Sequence, residues 1–122
     1  MLTFVTLKCF SQNRWVYVGV TSNSNCFVSY DSETLRRNPN NTVTLWVKYE
    51  YVKAIYSSYY SKYVESEIIR HVVSCDDRTI SDLSWIMYFT DATTASEDNQ
   101  YGKVETIFPD TIGEELYHIL CQ

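Results

Sequence analysis

A nine-residue alternation at positions 43–51 constrains the fold of this chain more than any other feature. The odd positions are aliphatic or aromatic, namely Val43, Leu45, Val47, Tyr49 and Tyr51. The even positions between them are Thr44, Trp46, Lys48 and Glu50. Because successive side chains of a β-strand point to opposite faces, this period of two predicts a strand whose odd face is buried. The chain is therefore expected to build a sheet that covers a core on one side.

Five further segments are rich in β-branched and aromatic residues, a composition that favours strands. They are residues 15–20, 26–30, 65–75, 79–90 and 101–108. The Ser, Thr and Asn residues of 21–25 predict a turn that joins the first two segments as a hairpin. Asp76, Asp77 and Arg78 predict a second tight turn. An antiparallel sheet of about six strands is expected.

Three intervening segments lack a strand pattern. Residues 32–37, before the Asn-Pro-Asn-Asn breaker at 38–41, have the length of a single helical turn. The run of Ser and Tyr at 55–63 is interpreted as a loop or an irregular extension. Residues 91–100 are polar and are expected to form a mobile loop.

The C-terminal segment has the signals of a helix. Pro109 and Asp110 end the last strand, and Thr111 with Glu114 forms a capping box. An apolar stripe follows at helical spacing, formed by Ile112, Leu116, Ile119 and Leu120. One short helix is not stable alone, so it is expected to pack on the sheet. The whole chain, residues 1–122, is thus predicted to be a single α+β domain.

The charge of the chain argues against two classes of partner. Ten Lys and Arg against fifteen Asp and Glu give a formal net charge of −5. A nucleic-acid binder needs a basic surface to displace phosphate counterions, and an anionic membrane surface attracts basic segments. Neither partner is predicted here, and no apolar run is long enough to span a bilayer.

No catalytic, metal or cofactor site is predicted. His71 is interpreted as a satisfied, partly buried imidazole, and His118 suits the negative end of the helix dipole. Cys121 lies three residues from His118, but the C-terminal end of a helix disfavours a thiolate, so a Cys–His nucleophile is not expected. The acidic residues at 76–77 and Asp82 lack the spacing of a calcium loop.

The four cysteines, Cys9, Cys26, Cys75 and Cys121, allow three full pairings, and buried thiols without a bridge are the alternative. A Cys9–Cys26 bridge conflicts with strand geometry. With turns on either side of the first strand, these two cysteines lie about four residues, or about 13 Å, apart along the sheet. The Cα atoms of a disulfide lie within about 7 Å. Cys9 and Cys26 are therefore expected to be free.

Four tyrosines cluster within the 55–63 segment. Tyr56, Tyr59, Tyr60 and Tyr63 lie among serines around Lys62. Tyr and Ser together supply rigid amphipathic area and small hydrogen-bonding groups, as recognition surfaces do. These five residues are candidate protein-binding residues, with the 91–100 loop beside them. The alternatives are that they cover the outer face or an edge of the sheet, or that they contact a second copy.

Several segments occur together in an order typical of a known family. They are Trp-Val-Tyr-Val-Gly at 15–19, Tyr-Asp-Ser-Glu at 30–33, Leu-Arg-Arg at 35–37, the strand around Trp46, a strand ending in Cys75, Gly-Lys-Val at 102–104, and Phe-Pro-Asp-Thr-Ile-Gly-Glu at 108–114 before Cys121. Over residues 15–121 this order resembles the surface-adhesin E-like family of small bacterial exported domains. The resemblance implies an antiparallel sheet flanked by the C-terminal helix. It also implies a bridge between Cys75 and Cys121, which on the chain-entropy estimate stabilises the fold by about 4 kcal/mol.

The resemblance further implies a non-enzymatic binding domain, adhering to host or extracellular proteins, in the periplasm, at the outer-membrane surface or secreted. Residues 1–7 are mildly apolar but lack the basic region and the cleavage site of a signal peptide. Either the native start lies upstream, or the protein is not exported and a cytoplasmic location is the alternative. Two other functions stay open. One is a structural, envelope-associated homodimer without an external ligand, and the other is a small hydrolase with an unrecognised pocket.

Overall fold

The computed structural model describes residues 14–21, 23–98 and 102–122. These described residues form eight strands and one helix. They are β1 (Trp15–Val20), β2 (Cys26–Asp31), β3 (Arg36–Arg37), β4 (Thr42–Ser57), β5 (Lys62–Ser74), β6 (Thr79–Phe89), β7 (Thr94–Asp98), β8 (Val104–Thr106) and α1 (Ile112–Leu120). The predicted antiparallel sheet with one C-terminal helix is confirmed.

All eight strands belong to one antiparallel sheet. Its order is β1-β2-β4-β5-β6-β7, while β3 pairs with β4 and β8 pairs with β6. The sheet has eight strands rather than about six because β3 and β7 were not expected. Both are short and polar, so neither has the apolar alternation that identifies a half-buried strand. The last expected strand, at 101–108, is shorter than predicted and is β8.

One face of the sheet carries the core, and the odd positions of β4 form its centre as predicted. Val43, Leu45 and Val47 are at most 2% exposed. Leu116 and Leu120 of α1 belong to the same buried cluster, so the helix covers this face. Among the described residues no helix covers the opposite face, which we call the open face.

Residues 55–63 were expected to form a loop or an irregular extension. The backbone is extended on both sides of a turn at 58–61, so the loop interpretation is wrong outside that turn. β4 continues to Ser57 and β5 begins at Lys62, and these two residues pair with each other. The register shifts between Glu50 and Ile55, so the alternation of apolar residues breaks at this irregularity. The periodic signal is lost there although the backbone stays extended.

Two further expectations are corrected. Residues 94–98 of the expected 91–100 loop form the edge strand β7, whose polar side chains suit the border of a sheet. Residues 99–101 lie outside the described part of the chain. The helical turn expected at 32–37 is a turn followed by β3. There the Asp31 carboxylate accepts a hydrogen bond from the Glu33 N–H at 3.0 Å, a local bond that competes with a helix.

The predicted capping of α1 is confirmed. The Thr111 hydroxyl accepts a hydrogen bond from the Glu114 N–H at 3.3 Å. The Glu114 carboxylate accepts from the Asp110 N–H at 3.0 Å, and it also lies 2.7 Å from Arg78 in the turn before β6. These contacts fix the start of the helix on the sheet.

The predicted apolar stripe of α1 holds at three of its four positions. Leu116 and Leu120 are buried, and Ile112 packs against the core. Ile119, in contrast, is 41% exposed, so its expected place in the buried stripe is wrong. Residues four apart stay on one side of a helix, whereas adjacent residues diverge by about 100°. When Ile112, Leu116 and Leu120 face the sheet, the side chain of Ile119 therefore points away from it.

Candidate functional site

A disulfide bond joins Cys75, directly after β5, to Cys121, directly after α1. Their Cα atoms are 5.5 Å apart. This bond confirms the pairing that the family resemblance implies. The Tyr117 hydroxyl donates a hydrogen bond to the Cys75 carbonyl at 3.0 Å, so the end of the helix is held to the same turn twice.

Cys26 is a free thiol, as predicted, and the structure places it in the core. Burial raises its pKa to about 11, and the carboxylates of Glu67 and Glu50 add to the effect. At neutral pH the group therefore stays protonated, which makes it a poor nucleophile. Cys9, the other cysteine expected to be free, lies outside the described residues.

His71 is enclosed in a row of hydrogen-bonding groups. Its Nδ1 lies 2.9 Å from a carboxylate oxygen of Asp82, and its Nε2 lies 2.8 Å from the Tyr49 hydroxyl. Burial raises the pKa of Tyr49, and the hydrogen bond with His71 lowers the pKa of Asp82. The imidazole is buried and both of its nitrogens are satisfied, which agrees with the structural role predicted for it.

His118 has the position expected for it, in the last turn of α1, and is exposed. Its Nε2 lies 3.9 Å from the Glu114 carboxylate one turn earlier. Within the part of the chain that the structure describes, no three His, Cys, Asp or Glu side chains are grouped so that they could hold a metal ion. Nor does that part contain a helix long and apolar enough to cross a membrane.

The end of the β4–β5 hairpin, residues 55–63, is called the hairpin tip. β2 pairs with β4 only as far as Tyr51, and Asn25 then bonds to the backbone N–H groups of Val52 and Lys53. The hairpin therefore extends past its neighbours on that side. Three of the predicted protein-binding residues are well exposed there: Tyr59 at 86%, Tyr56 at 53% and Tyr63 at 52%.

The other two predicted residues attach the hairpin tip to the rest of the sheet. Tyr60 packs against buried Phe89 with ring centroids 5.3 Å apart and the ring planes tilted by 57°. The Lys62 ammonium donates to Thr93 at 2.8 Å and lies 3.1 Å from Asp91. Hydrogen bonds from Thr93, together with Lys62, lower the pKa of Asp91 to about 2. Tyr60 and Lys62 thus hold the hairpin tip against the β6–β7 turn.

The open face carries an apolar pocket of about 180 Å³ at its centre. Trp15, Trp46, Ile68 and Ile86 line it, with Arg14 and Asp31 at the same site. The Lys48 ammonium lies 4.4 Å from the centre of the Trp15 ring, a cation–π contact. These side chains come from four strands, and the strand register brings them together.

Asp31 anchors the border of this pocket. Its carboxylate is fully buried and accepts hydrogen bonds from Arg14 and Thr34, both at 2.8 Å. Burial alone would raise its pKa, but the hydrogen bonds from Arg14, Thr34 and the Glu33 N–H outweigh burial and lower it. Asp31 therefore stays ionised, and it fixes both β1 and the turn before β3.

Two clefts adjoin the apolar pocket, and together the three form what we call the open-face groove. The first has a volume of about 570 Å³ and is lined by Thr34, Arg36, Asn38, Thr44, Leu45, Trp46 and Arg70. The second has a volume of about 360 Å³ and includes Ile86, Ser96, Glu97 and Asp98. Trp46 and Arg70 line both clefts, so they mark the middle of the groove.

Sequence reasoning did not identify the open-face groove. The available signal was in the even positions of the alternating strand, where Trp46 and Lys48 stand on the face expected to meet solvent. Polar side chains on such a face are enough to keep a protein soluble, so a large aromatic residue beside a cation there indicates an interaction site. Arg70 and Trp15 lie far away in sequence, and only the register of β5 and β1 adds them.

Comparisons with known proteins identify relatives of this chain. The family described as Surface-adhesin protein E matches residues 15–122. The fold is similar to that of Haemophilus influenzae protein E in crystal form II, with a TM-score of 0.64, 19% sequence identity and 86% of each chain covered. A comparison with curated proteins gives no match.

Two further solved structures show the same likeness. A structure of Haemophilus influenzae protein E has a TM-score of 0.62 at 19% identity, over 86% of this chain and 83% of the other. Protein E from non-typeable Haemophilus influenzae has a TM-score of 0.60 at 19% identity, over 86% and 74% of the two chains. At this identity the likeness establishes a shared fold alone.

Proposed function

Because this chain belongs to the surface-adhesin protein E family, we propose that it is a non-enzymatic, adhesin-like binding domain. It acts in the bacterial envelope or after secretion, and its ligands are host or extracellular proteins. The likeness of its fold to Haemophilus influenzae protein E supports the same assignment. Ionised Asp31 and the enclosed imidazole of His71 act in this proposal as parts of the scaffold.

The exposed aromatic hairpin tip is the observation that carries this proposal. Tyr56, Tyr59 and Tyr63 present rings on a hairpin that extends past β2, and Ile55 beside them is also exposed. Contiguous exposed apolar area of this kind marks interaction sites in soluble proteins. Tyr adds a hydroxyl to a rigid ring, so it gives contact area at low cost in conformational entropy.

The attachment of the hairpin tip favours binding as well. Tyr60 on Phe89 and Lys62 with Asp91 hold the turn in one arrangement before any ligand arrives. Ordering a loop on binding opposes association, so a turn that is already ordered retains more of its contact energy. The exposed tyrosines and these two anchoring residues thus have different roles in the proposed contact.

Self-association is a second candidate function, and the outer edge of the hairpin favours it. Beyond Lys53, β4 pairs only with β5 among the described residues, so its other edge is open. Two such edges can pair across a two-fold axis and form a dimer without an external ligand. Light scattering after size-exclusion chromatography, over a wide range of protein concentrations, separates this function from ligand binding.

The test replaces Tyr59 by Ser, alone and together with Tyr56→Ser. We expect saturable binding of the unaltered protein to at least one of a set of immobilised extracellular-matrix proteins, measured by biolayer interferometry. The double variant should bind at least about tenfold more weakly, since central aromatic residues dominate interface energies. Tyr17→Ser, an exposed tyrosine on the open face, is the matched control and should bind normally.

The proposal fails if no matrix protein is bound saturably, or if Tyr17→Ser weakens binding as much as the double variant does. Thermal melting accompanies each variant. Tyr59 is 86% exposed, so its replacement should leave the midpoint unchanged, and a large fall would show that the ring supports the fold.

A further inference from the structure

One cleft carries two arginines in a protein whose net charge is −5. The larger cleft of the open-face groove is lined by Arg36 and Arg70 and by no acidic side chain. Within the described residues, neither arginine forms an ion pair. Two guanidinium groups are therefore available to an anion, and the planar guanidinium fits a carboxylate with two parallel hydrogen bonds.

The rest of the lining suits a sugar better than a bare anion. The indole of Trp46 stands beside the two arginines, and the C–H groups of a sugar ring pack against the negative face of an aromatic ring. Asn38 donates from Nδ2 to the hydroxyls of Thr42 and Thr44, both at 3.0 Å, which orients its amide oxygen as an acceptor. Short polar groups of this kind match sugar hydroxyls.

The second cleft indicates which kind of sugar would lie next to an acidic sugar bound at the two arginines. It continues from Trp46 and Arg70 over Ile86 to Ser96, so the groove is longer than one sugar ring. Its outer end carries Glu97 and Asp98, which would repel a second carboxylate. The neighbouring unit of a ligand that follows the groove must therefore be neutral.

We propose that the open-face groove binds a glycan chain in which an acidic sugar alternates with a neutral one. Arg36 and Arg70 bind the carboxylate, Trp46 packs under the acidic ring, and the neutral unit lies over Ile86. This site is separate from the hairpin tip and does not depend on protein binding there. An acidic peptide offers the carboxylate but not the flat ring for Trp46, so it is the competing occupant.

Isothermal titration calorimetry on the full chain tests the proposal. The probe is a tetrasaccharide that alternates glucuronate with N-acetylglucosamine. A tetramer of N-acetylglucosamine keeps the ring shape and removes the carboxylates. A Glu-Gly-Glu-Gly peptide, blocked at both ends, keeps two carboxylates and removes the rings.

Three variants and a control locate the site. Arg36→Gln and Arg70→Gln should each weaken binding of the acidic tetrasaccharide about tenfold or more, because each removes charge-assisted hydrogen bonds. Trp46→Leu should weaken it as well. Lys53→Gln removes the same charge from an exposed residue that lies seven positions after Trp46 in β4, about 23 Å from it. The affinity of this control for the acidic tetrasaccharide should stay within about twofold of that of the unaltered protein.

The expected result is saturable binding of the acidic tetrasaccharide, at least about tenfold tighter than that of the neutral tetramer and of the peptide. Absence of saturable binding overturns the proposal, as does equal affinity for the neutral tetramer or an equal loss in Lys53→Gln. Peptide binding as tight as that of the tetrasaccharide overturns it in favour of an acidic peptide. If Trp46→Leu fails to fold, the affinity of Arg36→Gln still decides the outcome, because Arg36 is exposed and its replacement should not disturb the fold. Tyr59→Ser should leave sugar binding unchanged, which separates this result from the proposed protein binding.

Discussion

At the scale of single residues, Asp31 shows how one buried charge organises the open face. Its carboxylate accepts three hydrogen bonds, from Arg14, Thr34 and the Glu33 N–H. In Asp31→Asn an amide NH₂ would face at least one of these donors. We expect a loss of about 2 kcal/mol in the free energy of unfolding at pH 7, measured by urea denaturation. Asp77→Asn, in an exposed turn, is the control and should lose almost nothing.

The pH dependence of that difference has a definite sign. The folded-state pKa of Asp31 is lowered, so its contribution is complete above the unfolded pKa of about 3.9 and is lost as the pH falls through the folded value. The stability gap between the unaltered protein and Asp31→Asn should therefore be constant from pH 7 to about pH 5 and narrow at lower pH. A gap that widens on acidification would contradict the ionised state of Asp31.

Residue roles were predictable where local pattern decides them. The buried odd face of β4, the satisfied His71 and the cap at Thr111 all follow from the spacing of a few neighbours along the chain. The groove around Trp46 does not, because Arg70 and Trp15 reach it only through strand pairing. Ile119 is the opposite case, because the local pattern predicted that it is buried and the structure leaves it exposed. An apolar residue near a stripe is not necessarily part of it.

At the scale of elements, the bridge between the end of β5 and the end of α1 fastens the only helix of the described chain to the sheet. We expect the double variant Cys75→Ala/Cys121→Ala to lose about 4 kcal/mol, because the bridge closes a loop between residues 46 positions apart. The melting midpoint should fall by roughly 15 °C. Differential scanning calorimetry measures both values.

Two comparisons distinguish the effect of the bridge from damage to the core. Cys26→Ala keeps the bridge and leaves a small cavity, so it should lose only about 1 kcal/mol. A reductant should lower the midpoint of the unaltered protein by as much as the double substitution does, and should not change that of the double variant. An unaltered protein that keeps its midpoint under reductant would rule out the stabilising role.

Elements were predictable to the extent that burial imposes a pattern on them. β2, β4, β5, β6 and α1 each bury residues, and their sequences show it, whereas β3 and β7 lie at borders and carry polar side chains. The hairpin tip escaped detection for another reason. Beyond the register shift after Glu50, both faces of β4 are largely exposed, so nothing selects for alternating apolar residues.

At the scale of the whole molecule, the two proposed binding surfaces are far apart and are expected to act independently. Tyr59 of the hairpin tip and Trp46 of the open-face groove are separated by much of the length of β4, more than about 30 Å at the usual rise per residue. Charges so far apart are screened at physiological salt, where the Debye length is about 8 Å. Coupling between distant sites also requires an element with two alternative arrangements, and we expect a hydrogen-bonded sheet to have only one.

A double-mutant cycle measures this independence. Tyr59→Ser, Arg36→Gln and their combination are titrated with the acidic tetrasaccharide and with an immobilised matrix protein that the unaltered chain binds. For each ligand, the combined variant should reproduce the loss of the relevant single variant to within about 0.5 kcal/mol. A larger interaction energy would mean that one ligand covers both surfaces. A glycosylated matrix protein whose sugar lies in the groove while its polypeptide contacts the hairpin tip would produce that result, and enzymatic removal of its glycans would then abolish the coupling.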